Sequence, residues 1–220
     1  KKGNNLTQAG REEGIRRLMS INLLKRLESS VYSFGLTLAR IKNLISEMIK
    51  SIDAFDNNGS AILDLIEISE TSDFDLDDQN TDFFSVGKKV KIDLADMDYK
   101  SWRAELAMDA ENLELLTLMI ADITPEYDTK LQTLFKILAE KIKNPINAGN
   151  KKVLVFTAFS DTAEYLYENV SKYIKTSYGL DTAMITGSVD GKTTIPKFRA
   201  TLNNVLTCFS PISKDKVLLM

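Results

Sequence analysis

The chain has 220 residues, 44% hydrophobic and 27% charged, a composition that fits a folded globular protein and excludes a disordered one. Net charge is −3, histidine is absent and Cys208 is the single cysteine, which excludes an internal disulfide, a Ser-His-Asp triad, a Cys-His dyad and most zinc sites. No apolar run approaches the ~20 residues of a membrane helix, and nothing apolar follows Lys1-Lys2-Gly3-Asn4-Asn5 to make a signal peptide. The expectation is a soluble, cytoplasmic protein with no membrane partner.

In chain order, the first signal is an apolar stripe. Leu24, Leu27, Val31, Phe34, Leu38, Ile41, Ile45, Met48, Ile52 and Phe55 recur at alternating steps of three and four. That spacing resembles coiled-coil heptads and predicts one helix from about Glu12 to Phe55, ~65 Å long at ~1.5 Å per residue. Gly35 lies inside it at a cost of ~1 kcal/mol relative to alanine. Asn57-Asn58-Gly59 ends the helix or kinks it before an extension through Ile68. Between Asp64 and Asp82 stand eight Asp/Glu and no Lys/Arg. Like charges this dense repel, so a mobile acidic loop is expected over about 70–82. Val90, Ile92 and Leu94 alternate as an extended segment would.

A second helix is predicted from Asp96 or Asp98, with Trp102, Leu106, Leu113, Leu116, Ile120 and Ile123 on its apolar face, folding back along the first. Thr124-Pro125-Glu126 reads as a restart, with Thr124 as cap and Pro125 in the first turn. The third helix presents Leu131, Leu134, Phe135, Leu138 and Ile142 and stops at Asn144-Pro145, where a domain boundary is placed. Val153-Leu154-Val155-Phe156 then reads as a strand buried on both faces. Asp161 to Tyr173 is an amphipathic helix closed by Gly179. Thr182 to Thr186 is a second strand, and Ile195 to Leu206 a further helix. The expected fold is α/β plus helical: a long antiparallel helical hairpin in residues 1–149, then a truncated parallel α/β unit in residues 150–220.

Charge follows the same division. Residues 151–220 hold nine Lys/Arg against six Asp/Glu, and residues 1–150 hold nineteen against twenty-five. A nucleic-acid footprint is therefore expected only in the C-terminal part. Thr157 after the first strand, and Thr186-Gly187 after the second, offer hydroxyls and amides at the sheet edge where ligands of α/β folds bind. Such groups suit backbone phosphates, and Lys192, Lys197 and Arg199 add positive charge. The bland alternative is turn punctuation beside a solvated helix. Gly187 to Thr194 also imitates a P-loop, but three residues separate its glycines instead of four, and no later strand offers an aspartate for magnesium.

Three segments carry a resemblance to a known family. They are Leu23-Leu24-Lys25-Arg26-Leu27-Glu28-Ser29-Ser30 with Phe34 and Leu38, then Asp128-Thr129-Lys130-Leu131 through Leu138, and then Lys152-Val153-Leu154-Val155-Phe156-Thr157-Ala158-Phe159 with Thr162, Ala163 and Leu166. Thr186-Gly187-Ser188 and Phe198-Arg199 continue the third. In this order they resemble bacterial members of the Swi/Snf-like branch of superfamily-two helicases. The resemblance implies two RecA-like lobes with ATP and DNA across their cleft. Residues 150–220 would then be a truncated RecA-like lobe, with Thr157, Thr186 and Gly187 at positions touching one DNA strand's backbone. Lys25, Arg26 and Glu28 match an inter-lobe motif. ATP and magnesium are implied for the intact parent, while no catalytic residue and no metal ligand is expected in this stretch. The first motor lobe, with its P-loop and Asp-Glu box, would be the missing partner, and the strand and arginine motif expected after Met220 would complete the second lobe. The competing reading is a helical protein-interaction module with a small α/β domain and no nucleic-acid role.

Overall fold

The structure, a computed structural model, describes residues 8–58, 62–64, 91–187 and 191–210. It divides into two compact units, Lys1–Asp122 and Ile123–Met220. The acidic loop expected over 70–82, the residues Ser188 to Asp190, and residues 211–216 of the tail lie outside the described residues.

In the first unit the long helix is interrupted once, giving α1 (Gln8–Ser29) and α2 (Val31–Asn58). The interruption has a local cause at Ser30. Its hydroxyl accepts from the Ser33 amide at 3.4 Å, supplying a side-chain acceptor that competes with the helical ladder. Its own amide still donates to the Arg26 carbonyl at 2.9 Å, and its carbonyl accepts from Phe34 at 3.0 Å. Adjacent serines are a common site of helix kinks. The break also divides the apolar stripe. Leu24 and Leu27 on α1 are 64% and 40% exposed, while Leu38 and Ile52 on α2 are each 1% exposed.

After α2 the chain forms β1 (Ile62–Asp64) rather than a helical extension through Ile68. β1 pairs antiparallel with β2 (Lys91–Asp93), Leu63 opposite Ile92. A 3-10 turn at Leu94–Asp96 is capped by the Asp93 carboxylate, which accepts from the Ala95 amide. Helix α3 (Tyr99–Ala121) follows, capped by Asp98, whose carboxylate accepts from the Ser101 amide at 3.1 Å. The Ser101 side chain first, and its amide second, hold the Asp98 carboxyl below its ordinary value.

α3 runs antiparallel to α2, as the order of three polar fastenings along the pair requires: Lys42 with Glu114, Asp53 with Arg103, and Asp56 with Tyr99. Arg103 grips Asp53 with two bonds, Nε at 2.6 Å and Nη2 at 3.0 Å. Gly35 permits close approach higher up, since a Cβ there would stand 3.1 Å from Ile120 Cδ1. Between the helices Ile52, Leu94 and Leu106 are buried, with Ile45, Met48, Ile49, Phe55, Met97, Tyr99 and Trp102 around them. Burying each such aliphatic side chain contributes ~1.5–3 kcal/mol. Of the face predicted for α3, Leu116 is exposed and Ile123 lies beyond the helix end. Among the described residues no helix is long and apolar enough to cross a membrane.

The second unit is built on α4 (Thr129–Lys143) against α5 (Ser160–Tyr178). The restart at Thr124-Pro125 is a turn, not a helix. The Tyr127 and Asp128 amides both donate to the Thr124 carbonyl at 2.9 Å. The helix begins four residues later because Asp128 is the stronger cap: one oxygen accepts from the Lys130 and Leu131 amides, each at 3.0 Å. Its other oxygen accepts from the buried Tyr165 hydroxyl on α5 at 2.9 Å. Leu131, Leu138 and Ile142 of α4 meet Tyr165, Val170 and Ile174 of α5, with Phe135 stacked on Tyr173 at 4.4 Å. Asn144 ends α4, and Gly179 (φ 66°) ends α5 in the left-handed conformation. The turn at 144–150, where the sequence suggested a boundary, lies within this unit.

The expected strand at Val153–Phe156 has no ladder partner among the described residues. Val153 packs on the core, but Leu154, Val155 and Phe156 face solvent, Phe156 at 87% exposure. Instead β3 (Ala183–Met184) pairs antiparallel with β4 (Lys192–Thr193). The described residues therefore contain no parallel pair. The physical reason is that a parallel pair needs a flanking sheet to be stable, whereas a short antiparallel return closes locally. Thr182 fixes that return, its carbonyl accepting from the Thr194 amide at 3.0 Å and the Thr193 hydroxyl at 3.1 Å. The helix expected from Ile195 is shorter, α6 (Leu202–Phe209), capped by Thr201. Ile195-Pro196-Lys197-Phe198 is a turn in which Lys197 takes φ 59°.

Two outcomes test this account. Asp128→Ala removes a cap worth ~1 kcal/mol and leaves the Tyr165 hydroxyl buried without its acceptor, so urea unfolding should show a loss of about 2 kcal/mol or more. The Arg103 bonds hold the Asp53 carboxyl below its ordinary value of 3.8. A lowered folded-state value gives stability that is complete above the ordinary value and is lost as pH falls through the lowered one. Arg103→Gln should therefore flatten the acid limb of stability below about pH 4, followed by circular dichroism.

Candidate nucleic-acid interface

The five residues nominated for backbone contact, Thr157, Thr186, Gly187, Lys192 and Arg199, all fall in the second unit. Thr157 follows the apolar run, and its hydroxyl accepts from the Phe159 amide at 3.4 Å just ahead of α5. Phe159 is buried, so the chain is pinned there while Thr157 stays exposed. Thr186 and Gly187 leave β3 two and three residues after Met184, Thr186 half-buried and Gly187 exposed.

Lys192 opens β4 and is already engaged. Its Nζ lies 3.2 Å from Glu164 Oε1 in the second turn of α5, with both side chains partly exposed. An exposed pair of this kind contributes little to stability, but it fixes where β4 meets α5. Tyr167, one turn further along α5, has its phenol raised by burial, opposed by the Lys192 charge. Gly191 has a packing reason of its own. A Cβ there would stand 1.9 Å from the Ala200 carbonyl oxygen and 2.8 Å from Ile185 Cδ1. The glycine that made the sequence imitate a P-loop thus lets two backbones touch.

These contacts connect the nominated residues. Glu164 joins α5 to Lys192, Gly191 joins β4 to Ala200 beside Arg199, and Ile185 joins the same point to Thr186. Arg199 is exposed, and its carbonyl is held by the Thr201 amide and the Asn204 side chain, each at 2.9 Å. Lys197 is exposed two residues earlier, in a left-handed conformation that a lysine rarely takes. Neither Lys197 nor Arg199 forms an ion pair with a described residue. Asp181, near β3, is occupied by Lys175 at 2.7 Å and the Thr194 hydroxyl at 2.8 Å, which hold its carboxyl below the ordinary range. Asp181 is thereby paired.

Lys25, Arg26 and Glu28 belong to the first unit. Lys25 and Glu28 are exposed, but Arg26 is buried, its Nη1 3.5 Å from the Ser33 hydroxyl across the helix break. Arg26 thus joins α1 to α2. Sequence reasoning missed Glu164 and Gly191 as positioning residues. Only the odd glycine spacing hinted at the second. No three acidic or cysteine side chains converge on a metal-sized space among the described residues.

Comparison with protein-family models, curated proteins and solved structures returned no match.

Gly191→Ala should drive the β4 segment off Ala200. A clash with rigid backbone costs on the order of 1–3 kcal/mol, and thermal unfolding of the variant should occur several degrees lower, on the order of 5 °C.

Proposed function

We propose that this chain forms part of an ATP-dependent DNA helicase or translocase of the Swi/Snf-like kind. In this reading the first unit braces the motor, with Lys25, Arg26 and Glu28 near the inter-lobe joint. The second unit grips one strand's phosphate backbone through Thr157, Thr186, Gly187 and Arg199. ATP and magnesium would be held by another part of the motor, so this stretch contributes contact and not hydrolysis.

One observation carries the reading. Leu154, Val155 and Phe156 stand open to solvent between Val153 and Phe159, which are packed inward. Exposed apolar side chains here support the reading, because a central strand would show them if its neighbouring strands were supplied from outside the described residues. A RecA-like lobe completed in that way would set Thr157 at the end of one strand and Thr186-Gly187 at the end of the next. Lys197 and Arg199 support the same reading, as exposed cations with no ion-pair partner among the described residues. Lys192, bound to Glu164, acts here as a support and not as the leading contact.

The test is a salt series with duplex DNA of arbitrary sequence, read by filter binding to the full chain. Binding should fall steeply as salt rises. Lys197→Ala with Arg199→Ala should weaken it at low salt and reduce the log–log salt slope by about two, one per phosphate contact. Affinity and slope unchanged in the double variant would sink the interface.

A further inference from the structure

Helix α3 has a second face that the described residues leave uncovered. Trp102, Leu106 and Ile120 turn toward α2. On the opposite side Met108, Leu115 and Met119 are 60%, 58% and 69% exposed. Spaced by seven and four residues, they form one stripe along the helix axis at about 100° per residue. Leu116 and Leu118 widen the stripe on its two sides, and both are exposed.

Charge frames this stripe with one sign. Glu105 and Asp109 lie along one edge, Glu111 and Asp122 along the other, all exposed. From Ala104 to Asp122 there is no Lys or Arg. The fifth acid of this stretch, Glu114, turns instead to Lys42 on α2. Exposed apolar stripes on stable domains mark interaction sites, and flexible methionine side chains adapt to a partner's shape.

We propose that this outer face of α3 docks a basic amphipathic helix of a partner protein. A helix carrying leucines at the matching spacing would cover Met108, Leu115 and Met119, and its flanking lysines would meet both acidic edges. The same charge pattern argues against a second copy seated face to face, since that arrangement would set acids against acids. It equally argues against nucleic acid at this face.

The probe is a synthetic helical peptide of about five turns with leucines at i, i+3, i+4 and i+7 and lysines elsewhere. Its twin carries glutamate in place of lysine. Calorimetric titration onto the full chain should give a dissociation constant of about a micromolar for the lysine peptide and no binding of the twin. Raising salt from about 0.05 to 0.3 M should weaken binding about tenfold. Leu115→Glu with Met119→Glu should abolish it, Glu105→Lys with Glu111→Lys should weaken it about tenfold, and Leu24→Ser on α1 should leave it unchanged. Equal binding of both peptides, binding undiminished in the α3 variants, or no binding at all would each overturn the proposal. So would sedimentation as an oligomer that Leu115→Glu dissolves, because a second copy would then occupy the face.

Discussion

The carboxylate of Asp128 organises the second unit. One of its oxygens collects two amides at the start of α4, and the other receives the Tyr165 hydroxyl from α5. A buried acceptor with both oxygens used is worth more than a surface cap, because every group it satisfies would otherwise face an apolar interior. It also fixes an angle. With α4 held against α5, the core between them closes, and the first turns of α5 present Glu164 to Lys192. The placement of β4, Gly191 and Arg199 then follows from backbone contact. Asp128 and Lys192 are thus linked through adjacent residues of α5, Tyr165 and Glu164.

The first unit is organised differently. α2 and α3 share an apolar seam, and their relative sliding is limited by polar fastenings on the outside of the pair. The fastenings at the connected end, Arg103 on Asp53 and Tyr99 on Asp56, lie beside the buried Leu94, so the short β1–β2 ladder and the helix pair are anchored at one place. All of α3's inward chemistry is used in this way. Its outward chemistry is not, and that contrast separates a helix that merely folds from one with a second surface to offer.

Much of the helical layout was legible in the sequence because it depends on short-range signals. Asp98 as a cap, the stop at Asn144-Pro145 and the left-handed Gly179 are all decided within a few residues. The failures share a cause, which is competition between two acceptable local solutions. Ser30 could sit within a helix or cap one, and the Ser33 amide decided it. Thr124-Pro125 read as the helix start, but Asp128, with a buried partner on α5, caps the helix instead. Ile195 to Leu206 has helical periodicity, but the turn at Pro196 and Lys197 intervenes. Val153 to Phe156 reads as a central strand from composition, while strand pairing depends on neighbours that no local pattern supplies. At the nominated residues, the engagement of Lys192 by Glu164 was not legible, because it joins positions twenty-eight residues apart.

Trp102 is the single tryptophan of the chain, and it sits in the core of the first unit beside Ile52, Leu94 and Leu106. The second unit, by contrast, has tyrosines but no indole. Intrinsic emission excited at the red edge therefore watches only one of the two cores, while tyrosine absorbance is weighted toward the other. The molecule carries its own built-in means of telling whether its halves melt together or one after the other.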